Sequence, residues 1–128
     1  MSLRATVLIV DDDTVSSRIL EALLTPEGHQ LAFAADGLAA LEQARTILPD
    51  LILLDVMMPG LDGFEVCKKI KANPDLKQTY VIMVSAKIQQ EDRKQAALAG
   101  ADEYLTKPYD INAVIERVQK VLDIKLFE

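Results

Sequence analysis

A doubly wound α/β domain is what this 128-residue sequence predicts, and a few observations predict it. The runs Val7–Val10, Leu51–Leu54 and Val81–Val84 are almost continuously apolar and carry Val and Ile, as strands buried on both faces of a parallel sheet do. Segments with helical spacing separate them. The order strand then helix repeats five times, which requires right-handed crossovers and helices on both faces of one sheet.

Taken in order, Val7–Val10 is followed by three aspartates and then by a helix. Val15, Ile19, Ala22 and Leu23 are read as its apolar face, with Asp13 or Thr14 as N-cap and Pro26 just past its end. His29–Ala34 and Glu103–Thr106 mix polar and apolar residues, as edge strands do. Ala40, Leu41, Ala44 and Leu48 mark a second helix. Phe64, Cys67 and Ile70 mark a third, which stops before Asn73-Pro74 because a residue ahead of proline disfavours the helical region. The fourth helix covers roughly Gln90 to Ala99 and ends at Gly100 as a C-terminal cap, and the fifth places Ile111, Val114, Ile115, Val118 and Val121 on one side. Cys67 therefore reads as core filling, and His29, the single histidine, as a surface residue opening an edge strand.

Composition narrows the function classes. Half of the residues are hydrophobic, enough to bury a single core, and no linker, repeat or low-complexity stretch argues for a second domain, so residues 1–128 read as one unit. One cysteine cannot form an internal disulfide, and no apolar run reaches the roughly 18 residues of a membrane span. The first apolar run ends in aspartates, not at a small-residue cleavage site. A soluble protein of the cytoplasm is expected. The net charge of −6 comes with scattered basic residues, which leaves the domain without an electrostatic footprint for nucleic acid. The pattern starts close to Met1 and finishes close to Glu128, as it would in a whole protein or in a domain cut from a longer one.

In doubly wound sheets ligands lie beyond the carboxyl ends of the strands. Those positions hold Asp11, Asp12 and Asp13 after the first strand, Asp55 at the end of the third, Ser85 at the end of the fourth and Lys107-Pro108 after the fifth. If the first and third strands are neighbours their aspartates crowd together, and two carboxylates at about 4 Å repel by roughly 4 kcal/mol at an effective dielectric near 20. A hard divalent ion with oxygen ligands suits such a site, Mg²⁺ above all, because it takes one or two carboxylates, keeps waters and accepts a phosphate oxygen. Phosphoryl transfer needs a pocket of this kind, since charge on the equatorial oxygens must be met by metal, ammonium and hydrogen-bond donors already in place. On this reading Asp55 is the nucleophile, Asp11 and Asp12 hold the ion, Lys107 pairs with a phosphate oxygen and the Ser85 hydroxyl donates to another. No histidine lies near these positions and no Gly-x-x-x-x-Gly-Lys loop is present, so the phosphoryl group is expected from a partner and not from ATP.

Val10-Asp11-Asp12, Pro49 to Asp55, Met58-Pro59-Gly60-Leu61-Asp62-Gly63, Val84-Ser85-Ala86, and Gly100-Ala101 followed by Tyr104 and Lys107-Pro108 occur in order. In these motifs the chain, from about Ala5 to Leu126, resembles the receiver domains of two-component response regulators, and in particular the stand-alone chemotaxis regulator. The resemblance implies a five-stranded parallel sheet of order 2-1-3-4-5 with five helices on its two faces, the flavodoxin-like arrangement. It implies an aspartyl phosphate at Asp55, with Mg²⁺ held by Asp12, Asp55, the Met57 carbonyl and, through water, Asp11, and a cis Lys107-Pro108 bond. It further implies a domain that catalyses its own phosphorylation and dephosphorylation but is primarily regulatory. The partners would be a histidine kinase or histidine phosphotransfer protein upstream and an output domain or protein downstream, with a phosphorylation-dependent homodimer allowed.

In that family Ser85 moves to bond the phosphate and Tyr104 turns into the vacated space, changing the surface of the fourth helix, fifth strand and fifth helix. Serine stands where threonine is commoner and keeps the hydroxyl. Met57 and Lys87 fall at positions that tune phosphate loss. Arg117 lies where DNA-binding members often have a dimer-contact arginine, but the usual acidic partner four residues earlier is Ala113.

Two other readings compete. Asp11-Asp12-Asp13-Thr14-Val15 also matches the Asp-x-Asp-x-Thr motif of haloacid-dehalogenase-type phosphatases, with Asp11 as nucleophile and Asp13 as acid. That family needs an acidic pair near the last core strand, where this chain has Lys107-Pro108. The second is a non-enzymatic flavodoxin-like module binding a cofactor or protein, for which three negative charges after Val10, where a phosphate loop would stand, argue against a nucleotide.

Overall fold

The computed structural model describes residues 5–58, 60–85, 90–106 and 111–127; for residues 16, 23, 27, 111, 113 and 124–127 it describes the backbone alone. Lys107, Pro108 and Lys87 lie outside the described residues. Five strands form one sheet: β1 (Thr6–Val10), β2 (Gln30–Ala34), β3 (Leu51–Asp55), β4 (Tyr80–Ser85) and β5 (Glu103–Thr106). Their order is β2-β1-β3-β4-β5 and every pairing is parallel. The five helices are α1 (Thr14–Leu24), α2 (Gly37–Ile47), α3 (Gly63–Ala72), α4 (Gln90–Ala99) and α5 (Ile111–Phe127).

Strand side chains alternate between faces, and each face has its own core. Val7, Ile9, Leu51, Leu53, Ile82 and Val84 pack with Leu20 and Leu24 of α1 and with Val114, Val118, Val121 and Leu122 of α5. Leu8, Val10, Ile52, Leu54, Val81 and Met83 pack with α2, α3 and α4 on the other side. Below the sheet, at the amino ends of the strands, β1 and β3 are clamped reciprocally. The Thr6 N–H donates to the Asp50 carboxylate at 2.9 Å and the Asp50 N–H to the Thr6 carbonyl at 2.8 Å.

The α1 face differs from expectation. Val15 and Ile19 are 64% and 44% exposed and Ala22 is exposed, while Leu20 and Leu24 are buried. Two apolar pairs at four-residue spacing, Val15–Ile19 and Leu20–Leu24, compete for the core in this sequence. Asp13 as N-cap fixes the helix start, with its carboxylate accepting from the Val15 N–H, and sheet packing selects the second pair. Leu48, expected on the buried face of α2, is exposed because it is the C-cap in the left-handed region at φ 47°.

His29 also departs from a surface role. It is half-buried, its Nδ1 accepts from the Ala5 N–H and its Nε2 faces the Gln119 Oε1, both at 3.2 Å. An Nδ1 that accepts carries no proton, so the neutral ring has its N–H at Nε2, directed at Gln119. The ring thus ties the start of β1 to α5.

Leu54 is fully buried on a central strand, and Leu54→Ala is expected to cost about 2–5 kcal/mol of stability in urea unfolding, with the fold retained.

Candidate functional site

Strand register builds the site. Val10 pairs with Leu54, so the next residues, Asp11 and Asp55, emerge side by side at the carboxyl ends of neighbouring strands, with Asp12 one residue on. Asp11 and Asp55 are only 8% and 7% exposed, and Asp12 is exposed. One carboxylate oxygen from each of the three falls within 4.8 Å of the others. Backbone donors already serve part of this charge: the Asp13 N–H donates to Asp11 Oδ1 at 2.8 Å and the Met57 N–H to Asp55 Oδ1 at 3.1 Å. Three acidic oxygens at this spacing, with two of the residues shielded from solvent, form a hard-ligand set suited to a divalent cation such as Mg²⁺, and no nitrogen or sulfur ligand joins them among the described residues.

Ser85 ends β4 one step beyond the Asp55–Val84 pair, is fully buried, and is opposite Thr106 of β5. Of the sequence-predicted site residues, Asp11, Asp12 and Asp55 are therefore gathered and Ser85 stands on the adjoining strand end. Met57 lies beside Asp55 through its backbone and exposes its side chain. Asp13 acts as helix cap, with its Oδ1 2.9 Å from the Val15 nitrogen.

The loop after Asp55 is shaped by close approach. A Cβ on Gly63 would sit 2.6 Å from the Asp55 carbonyl oxygen and 2.7 Å from the Val56 Cα, so the start of α3 can lie against the end of β3 only as glycine. The Gly63 N–H donates to the Val56 carbonyl at 3.1 Å, and Asp62 caps α3 by accepting from the Glu65 N–H. β3 and the helix after it are thereby fastened within one turn.

A family model described as the response regulator receiver domain matches residues 7–119. The chain belongs to the response regulator receiver domains. It is 44% identical over 122 residues to the response regulator PleD of Caulobacter vibrioides, covering 95% of this chain and 27% of that protein. It is 39% identical to the alkaline phosphatase synthesis transcriptional regulatory protein PhoP of Bacillus subtilis, covering 91% and 48%. Among solved structures, the chemotaxis protein CheY4 of Vibrio cholerae superposes with a TM-score of 0.85 at 30% identity, covering 92% of this chain and 98% of that one. The receiver thus spans between a quarter and a half of these curated relatives. No helix among its described residues is long and apolar enough to cross a membrane. None of these matches lends support to the phosphatase reading of Asp11 and Asp13.

Two polar networks away from the carboxylates were not read from the sequence. Glu103 accepts from the Tyr80 hydroxyl at 2.8 Å and from Arg117 Nε at 2.6 Å, so Arg117, for which Ala113 offers no partner, finds one in β5. The Glu103 carboxylate raises the Arg117 guanidinium further above its usual range, and burial, reinforced by Glu103, raises the Tyr80 phenol. Lys71 Nζ donates to Asp102 Oδ2 at 2.9 Å and to the Thr79 carbonyl at 2.7 Å, holding α3 to the strands on either side of α4. Both depend on residues far apart in sequence, and only the strand register brings them together.

Cys67 is buried and its thiol is pushed up to about 11, first by burial and then by Asp102, with Lys71 opposing. A thiol of raised pKa stabilises the fold while protonated. This contribution is complete below the ordinary value of 9.0 and is lost as pH rises from there through about 11. Native protein is expected to resist iodoacetamide at pH 8 and to be alkylated once unfolded in urea. Cys67→Ala should reduce the loss of stability between pH 9 and 11 relative to the parent, read by urea titrations at each pH.

Proposed function

We propose that this receiver accepts a phosphoryl group on Asp55 from a phosphohistidine of a histidine kinase or histidine phosphotransfer protein. The observation that carries the reading is the three-carboxylate cluster with the buried Ser85 at the adjacent strand end. An Asp55 carboxylate oxygen attacks phosphorus as the phosphorus–nitrogen bond to the donor imidazole breaks. Mg²⁺ would be held by Asp12, Asp55, the Met57 carbonyl and, through water, Asp11, and would offset the charge of the carboxylates and the incoming phosphate. Ser85 and Lys107 would bind phosphate oxygens. Both the making and the loss of the acyl phosphate would be catalysed by the domain itself, with residues 1–128 acting as one regulatory unit in the cytoplasm.

Ser85 is buried and the Tyr104 ring borders the core on the α4 side, which supports a switch in which Ser85 moves to the phosphate and Tyr104 turns inward. The reshaped α4–β5–α5 surface would signal to an output domain or protein, and a homodimer formed on phosphorylation would use the same surface. Contact with nucleic acid or membrane would not belong to this domain.

Incubation with acetyl phosphate and Mg²⁺ is expected to add about 80 Da to the intact mass, with the gain abolished by Asp55→Ala or by EDTA. A parent protein that stays unmodified with both metal and donor present would overturn the proposal.

Met57 sets a second test. Its side chain is 54% exposed beside Asp55 and offers no hydrogen bond to a water attacking phosphorus. Met57→Asn is expected to lose phosphate faster than the parent when the decay of the modified mass is followed after donor removal. A slower variant would show that Met57 does not protect the phosphate.

A further inference from the structure

α4 buries little apolar surface. Its buried side chains are two small ones, Ala96 and Ala99, whereas α3 buries Phe64, Val66, Cys67 and Ile70. The C-terminal end of α4 is well fastened. The Cys67 thiol donates to the Ala99 carbonyl, the Ala101 N–H returns to the Ala96 carbonyl, and the Gly100 turn, at φ 94°, packs on the Lys71 stem that is tied to Asp102.

From the first turn, Arg93 reaches across to β5. Its guanidinium carbon lies 5.2 Å from the centroid of the Tyr104 ring, within the roughly 6 Å over which a cation is drawn to an aromatic face. Arg93 is an exposed residue, and Tyr104 is half-buried with its ring at the border of the core. A solvent-facing cation can cover that ring only while the ring remains at the surface, so an inward turn of Tyr104 gives the contact up.

We propose that Arg93 is a latch on Tyr104: it holds the ring outward and the first turn of α4 against β5, and so opposes the inward turn that accompanies phosphorylation. The inference rests on the switch described above and adds to it a positioning residue that acts through Tyr104 and does not touch the reacting atoms. The attraction at an exposed site corresponds to about a two- to fivefold bias in a two-state equilibrium.

A double-mutant cycle tests this. Parent, Arg93→Ala, Tyr104→Leu and the double variant are compared in the rate of Asp55 modification by acetyl phosphate with Mg²⁺, read by intact mass, and in urea unfolding. Arg93→Ala is expected to speed modification about two- to fivefold in the parent background and to have no effect once Tyr104 is Leu. Arg93→Lys, which keeps a cation, should restore the parent rate, and Arg93→Gln should behave as Ala. Modification of the parent with Arg93→Ala unchanged, or with the same gain in the Tyr104→Leu background, overturns the latch and leaves phosphorylation of Asp55 standing. Failure to modify the parent removes both.

Discussion

Parallel pairing of β1 with β3, with Val10 opposite Leu54, puts Asp11 and Asp55 next to each other where both are shielded from water. Two bare carboxylates about 4 Å apart would repel by roughly 4 kcal/mol at an effective dielectric near 20. The sheet nevertheless imposes the juxtaposition, because the residues that set the register, Val7 to Val10 and Leu51 to Leu54, are almost wholly buried. Slipping the strands by one residue would turn every one of these side chains to the opposite face. Apolar burial therefore holds the like-charged side chains together. Backbone donors from Asp13 and Met57 serve part of this charge, and the oxygens are spaced as a divalent cation would need.

A site built this way depends on rigid support, and the loops beside it supply that support locally. Asp13 and Asp62 each cap a helix that leaves the site, and the absence of a Cβ at Gly63 lets α3 begin directly against the end of β3. Side-chain carboxylates thus have two separate jobs within a few residues. Asp11, Asp12 and Asp55 present oxygens to the pocket, while Asp13 and Asp62 spend theirs on helix N–H groups. Spacing alone does not separate these roles for Asp12 and Asp13, since both follow the same strand; the turn of the chain into α1 does.

How far the sequence discloses this fold follows from which interactions are local. Strands buried on both faces appear as unbroken apolar runs, and a helix that stops at a proline or glycine carries its own boundary, so the ends of α3 and α4 are legible in the sequence. The carboxylate cluster was legible because chemistry in a doubly wound sheet concentrates at strand ends. The orientation of α1 was not, because two stripes of equal spacing were available and only the tertiary packing of Leu20 and Leu24 decides between them. The contacts of His29, Arg117 and Arg93 are hidden in the sequence for a related reason. Their partners, Ala5 and Gln119, Glu103, and Tyr104, come from other elements and leave no periodic trace.

β5 shows how these non-local contacts bear on motion. As an edge strand with alternating side chains, it directs Glu103 toward α5 and Tyr104 toward α4. On the α5 side the bond is charge-assisted, accepts the Tyr80 hydroxyl as well, and sits beside a helix that buries Val114, Val118, Val121 and Leu122; such bonds are among the stronger ones in proteins. On the α4 side a solvent-exposed cation meets a ring, next to a helix whose buried anchors are two alanines. Under the proposed switch, a disturbance reaching β5 from Asp55 would therefore meet more buried apolar side chains toward α5 than toward α4. Local opening concentrates where buried apolar contact is least, so on the proposed phosphorylation of Asp55, α4, fastened at its Cys67- and Lys71-bound end, would be the element that carries the change to the surface.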